Sequence, residues 1–150
     1  MINDFVVYSR QAIEASNGQR TMPHIIVSIS TPEAPPADFI TNENTLGVLR
    51  MWFYDLDRVI EGYNDHLEPG MFQPSQAKEI LDFVNAHPSA ERFIVHCDAG
   101  MSRSPAVAAA LSKILVGEDD GFFKQYHPNM RVYRTILEEH YAPGESSCLE

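Results

Sequence analysis

The chain has 150 residues, 44% of them apolar and 21% charged, which is enough to bury one core without disulfides or a structural metal. Its formal net charge is -10, and that excludes a broad basic face for nucleic acid or for an anionic membrane surface. The whole of residues 1–150 therefore reads as a single domain, with the tail after about residue 143 disordered or vector-derived and Leu149-Glu150 a vector remnant.

In chain order, residues 1–10 lack the basic-then-apolar pattern of a signal peptide, and no run reaches the length of a membrane span. Only two cysteines occur, Cys97 and Cys148, which fits a reducing, cytoplasmic setting. The apolar run at residues 24–30 (HIIVSIS) and the one at 46–53 (LGVLRMWF) read as buried strands. Between them, residues 31–45 hold three prolines and several polar residues, a loop; residues 54–72 are acidic, long and irregular.

Pro74-Ser75 opens a helix whose apolar positions Ala77, Ile80, Leu81 and Val84 recur at helical spacing, ending at His87-Pro88. Residues 92–96 (RFIVH) predict a third strand. Ser104 is read as an N-cap with Pro105 at the first helical position, and the helix runs through Val116 to Gly117, apolar nearly all round and so buried. A last helix covers about 129–140. Strands alternating with helices predict an α/β domain, a central and mostly parallel sheet flanked by helices.

The chemistry is concentrated in residues 96–104, His-Cys-Asp-Ala-Gly-Met-Ser-Arg-Ser, between a predicted strand and the buried helix. A tight loop entering a helix turns successive amides inward as an anion nest, and the helix N-terminus adds unpaired N–H groups. Such a setting favours the Cys97 thiolate. Gly100 supplies the backbone freedom of the turn, and Arg103 can grip two phosphate oxygens with its planar fork. The same donors would stabilise the equatorial oxygens during transfer to sulfur, giving a phosphocysteine that water hydrolyses, with Ser104 helping the sulfur leave. The bland alternative is a buried, inert cysteine and a surface arginine. Against it, His-Cys-x-x-Gly-x-x-Arg-Ser would arise by chance in a chain this size on the order of once in 10⁵.

This loop resembles the signature of the cysteine-based protein tyrosine phosphatases, and its Arg-Ser ending and the chain's small size are closest to the dual-specificity subgroup. It is most similar to small bacterial-type members that pair a Leu-Arg-x-x-Phe-x-Asp segment, here residues 49–55, with such a loop. The resemblance covers about residues 46–141 together with the strand at 25–32. It implies the dual-specificity phosphatase fold, Cys97 as nucleophile, Arg103 as phosphate clamp, and the amides of Asp98, Ala99, Gly100, Met101, Ser102 and Arg103 as cradle. It implies no cofactor and no metal, and a phosphorylated protein or small phosphomonoester as substrate.

A phosphomonoester needs its leaving oxygen protonated, and Asp55 and Asp57 end a strand where carboxylates can overhang a parallel sheet. The resemblance favours Asp55; Asp57 stays open, because residues two apart in an extended chain point the same way. His96 could orient the cysteine or simply pack. Asn129 falls where similar phosphatases place a loop-bracing Asn, and it could equally be a helix cap. Asp65, His66 and Glu68 read as solvated; His24, His87, His127 and His140 read as structural, and Cys148 as an idle thiol. Three other readings compete: a rhodanese-type sulfurtransferase, disfavoured by the five-residue interval; a phosphoinositide phosphatase, disfavoured by a loop with no lysine and an acidic Asp98; and a catalytically silent phosphate-binding module.

Overall fold

The computed structural model describes residues 1–16 and 18–142. Four strands, β1 (Asp4–Ser9), β2 (His24–Ser30), β3 (Thr45–Trp52) and β4 (Arg92–Cys97), form one sheet in the order β1-β4-β2-β3, and all three pairings are parallel. The helices are α1 (Arg10–Ala15), α2 (Pro74–Asn85), α3 (Arg103–Val116), α4 (Asp120–Gln125) and α5 (Met130–Tyr141). The predicted α/β class and layered sheet are both present. The predicted tail and Cys148 lie outside the described residues.

β2 sits inside the sheet and is buried at every position, which explains why isoleucine and valine stand on both of its faces. Ile25, Val27 and Ile29 join the larger core, whereas Ile26 joins Ile13 and Ile94 on the other face. The larger core is roofed by α2, α3 and α5; α5 packs on both α2 and α3. The smaller one is closed by α1 and by Phe39 of the 31–44 segment. Each buried Ile or Val contributes about 1.5–3 kcal/mol.

α3 is buried from Arg103 to Ser112, which its apolar circumference requires. It ends at Gly117 in a left-handed conformation, φ 82°, whose amide returns to the Ser112 and Lys113 carbonyls. One expectation needs correcting: the helix begins at Arg103, with Ser102 in the N-cap position, so Ser104 is not the cap. Its hydroxyl is engaged by the Cys97 sulfur instead. β1, α1 and α4 were not anticipated.

Two parallel strands deliver the site. β4 ends at Cys97, and β2 ends at Ser30 immediately before Thr31, so both bring their carboxyl ends to the same edge of the sheet.

Candidate active site

Cys97 is 2% exposed and follows the fully buried His96 on β4. The Gly100 amide donates to its sulfur at 3.3 Å, and the Ser104 hydroxyl lies 3.1 Å from the same atom. Hydrogen bonds of this kind stabilise an anionic sulfur. Gly100 could be no other residue at this turn. Its φ is +72°, and a Cβ there would lie 2.7 Å from the Ser9 nitrogen and 2.9 Å from the Tyr8 carbonyl carbon.

The loop's carbonyls are tied to groups outside it. His96 Nδ1 donates to the Cys97 oxygen at 3.2 Å, and the Arg10 amide to the Asp98 oxygen at 3.1 Å. The amides of His127 and Asn129 donate to the Met101 and Ser102 oxygens, each at 3.0 Å. No cis peptide occurs among the described residues, and in a trans peptide the N–H opposes the carbonyl. The amides of Asp98, Ala99, Ser102 and Arg103 therefore point away from these outside donors, which is how a nest of N–H groups forms. The side chains of Asp98, Ala99 and Met101 are exposed.

Arg103 is 5% exposed and held rigidly. Nη1 donates to the Phe53 oxygen at 2.8 Å and to Thr31 Oγ1 at 3.1 Å, and Nη2 to Asp98 Oδ2 at 3.0 Å. Its Nε is buried with no hydrogen-bond partner among the described residues. A buried, unsatisfied guanidinium donor is costly unless a ligand completes it. Asp98 Oδ2 also accepts from the Thr31 hydroxyl at 2.7 Å. Partial burial pushes the Asp98 carboxyl up, but bonds from Thr31 and Arg103 and the charges of Arg103 and Arg10 outweigh it, leaving Asp98 below its ordinary value.

Asp55 reaches this loop from the end of β3. Its Oδ1 accepts from the Ser102 hydroxyl at 2.7 Å and from Asn129 Nδ2 at 2.9 Å. Asn129 also caps α5, its Oδ1 accepting the Val132 amide at 3.1 Å, so it is both a cap and a brace. Asp57 lines the same cleft, of about 350 Å³, between residues 55–57 and residues 127–129 beside Ser102.

His96, Cys97, Asp98, Gly100, Ser102, Arg103, Ser104, Asp55 and Asn129 are thus assembled in one place. His127, set aside from the sequence, lines the cleft. Thr31 was missed as a site residue; its place directly after a buried parallel strand was the available signal. His24 and His87 bond locally, to the Met22 and Phe83 carbonyls, in structural roles. Among the described residues no cluster of three or more His, Cys, Asp or Glu side chains could hold a metal.

The sequence matches no family model and no curated protein. Solved structures do match. The human tyrosine phosphatase-like serine/threonine/tyrosine-interacting protein aligns over 91% of both chains, at TM-score 0.56 and 17% identity. Human DUSP28 aligns over 96% of this chain and 92% of its own, at 0.52 and 18%. A mouse putative dual specificity phosphatase covers 95% and 86%, at 0.54 and 16%. The chain has the dual-specificity phosphatase fold. Within this fold the strand–loop–helix at residues 92–116 is the segment around which the site residues gather.

Proposed function

We propose that the protein is a cysteine-dependent phosphomonoester hydrolase of the tyrosine or dual-specificity phosphatase type. The observation that carries this reading is the buried Nε of Arg103, without a partner among the described residues, beside a loop whose Cys97, Asp98, Met101 and Ser102 carbonyls are drawn outward. An oxyanion is the ligand that such a donor and such amides suit. In this reading Cys97 attacks phosphorus while Asp55 gives its proton to the leaving oxygen, and Ser104 donates to the sulfur as water cleaves the phosphocysteine. Asp55 is favoured over Asp57 because it is bonded directly to Ser102 of the loop. The fold supports a phosphatase over a rhodanese-type sulfurtransferase, and a phosphorylated protein is the favoured substrate. A silent phosphate-binding module would have no use for a carboxylate fixed over the loop.

Hydrolysis of p-nitrophenyl phosphate in the presence of a chelator tests this reading. Cys97→Ser is expected to lose at least about 10³-fold in kcat, and Asp55→Asn about 10²–10⁴-fold with a flattened alkaline limb of the pH profile. No turnover by the wild type, or an unimpaired Cys97→Ser, would reject the reading. Loss in Asp57→Asn alone would move the acid to Asp57.

A further inference from the structure

Three polar side chains form a row across the sheet behind the nucleophile. Arg50 on β3 is the register partner of Ser28 on β2, and Ser28 is the partner of His96 on β4. Residues opposite one another on neighbouring strands share a face, so the three side chains stand side by side. Arg50 Nη1 donates to Ser28 Oγ at 3.3 Å and to the Ala37 oxygen at 2.9 Å. Ser28 Oγ lies 2.7 Å from His96 Nε2, and His96 Nδ1 lies 3.2 Å from the Cys97 oxygen.

With the imidazole neutral, only one arrangement of protons satisfies the row. The Cys97 carbonyl can only accept, so Nδ1 carries the hydrogen. Ser28 already accepts from Arg50, so its own hydrogen is free for Nε2. Ser28 is 1% exposed and His96 0%, so the other neutral tautomer would leave a buried polar atom unsatisfied, and burial beside Arg10 and Arg50 disfavours the cation. The Phe39 ring seals the row: its centroid lies 4.9 Å from Arg50 Cζ and 6.1 Å from the His96 ring.

We propose that Arg50 is a positioning residue for the nucleophilic loop: acting through Ser28, it fixes His96 as the neutral Nδ1–H tautomer that holds the Cys97 carbonyl. That carbonyl belongs to the peptide whose N–H, on Asp98, is the first amide of the cradle. Rotation of this one peptide would turn the amide out of the nest. The inference rests on the hydrolase reading for its purpose but not for its test. Other groups also face His96: Arg10 from α1, Asp98 from the loop, and Tyr8 as its neighbour on β1. Burial, with Arg10 and Arg50, pushes His96 below its ordinary value, against the backbone bond and Asp98, which raise it.

The test compares Arg50→Met, Arg50→Lys and Ser28→Ala with wild type in the full chain. Nitrogen NMR of the His96 imidazole, assigned through His96→Asn, reads tautomer and titration, and competition with inorganic phosphate reads the cradle. Wild type should show a single Nδ1–H tautomer at about pH 6.5, where free imidazole is half protonated. In Arg50→Met the midpoint should rise by roughly half a unit or more, about a threefold gain in proton affinity. Phosphate affinity should fall about three- to tenfold in Arg50→Met and Ser28→Ala. Lysine keeps the charge and should restore most of both. An unchanged tautomer and midpoint in Arg50→Met, or a lysine variant as perturbed as the methionine one, would overturn the proposal. If the wild type hydrolyses nothing while His96 responds as described, the hydrolase reading falls and the positioning row stands.

Discussion

Asp98 has two consequences at the scale of a single residue. It fastens Arg103 through Oδ2, which lowers the conformational cost of presenting the guanidinium, and it places a negative charge at the rim of an anion site. The two act in opposite directions on phosphate. Its side chain is 44% exposed, so water and salt weaken the repulsion without removing it, while Phe53 and Thr31 still hold Arg103 if Asp98 is neutralised. Repulsion should therefore dominate the outcome. In Asp98→Asn, inorganic phosphate is expected to bind about three- to tenfold tighter at low salt, with the gap closing near 0.5 M, roughly where the Debye length falls below 5 Å. Because Asp98 is held below the ordinary carboxyl range, it is charged across neutral pH, and the effect should be constant above about pH 5. Weaker binding in competition assays would show that fastening Arg103 is its larger role. The sequence displayed this aspartate, but only as a charge in the loop; its pairing with Arg103 and Thr31 depends on where β2 ends, which no local pattern encodes.

Among the elements, legibility followed length and periodicity. α2, α3 and α5 span three or more turns with a face or circumference of apolar residues, and Pro74, Gly117 and Asn129 mark their ends chemically. β1, α1 and α4 are six residues each, too short for a period to emerge; β4 is as short but central and buried, whereas β1 is a half-buried edge strand, though Phe5, Val6, Val7 and Tyr8 carry a strand's composition. β1 nevertheless shapes the loop, since its last residues lie against Gly100. That contact separates two glycines with almost the same dihedral angle. Gly117 has φ +82° and open space where a Cβ would go; Gly100 has φ +72° and β1 backbone there. Alanine at 117 should cost about 1–2 kcal/mol, the left-handed penalty alone. Alanine at 100 adds a clash that the backbone cannot relieve without moving β1 or the cradle. Thermal or denaturant unfolding should rank Gly100→Ala clearly below Gly117→Ala, and only the former should lose phosphate binding. Equal losses would mean that the β1 contact is soft.

Over the whole molecule, the sheet carries two fully buried histidines near opposite ends of its two central strands: His24 opens β2 and His96 precedes the end of β4. His24 is bonded to the Met22 carbonyl and, through Nε2, lies 2.7 Å from Thr45 Oγ1. Burial foremost, aided by Arg20 and Arg92, holds His24 below its ordinary value in spite of the Met22 bond. Both histidines are lowered by folding, so below about pH 6.5 the unfolded chain takes up protons that the native state refuses. Stability contributed by their neutrality is full above that pH and declines as pH falls toward the folded values. Asp98 carries the same sign in a lower window, lost as pH drops below about 4, so the two kinds of group separate along the pH axis. Between pH 5 and 7 the melting temperature should therefore climb, and His24→Gln should climb less steeply, because one of the two refused protons is gone. Each such proton is worth at most about 1.4 kcal/mol per pH unit. Parallel wild-type and His24→Gln curves across that interval would place the coupling elsewhere, in the excess of carboxylates behind the net charge of -10.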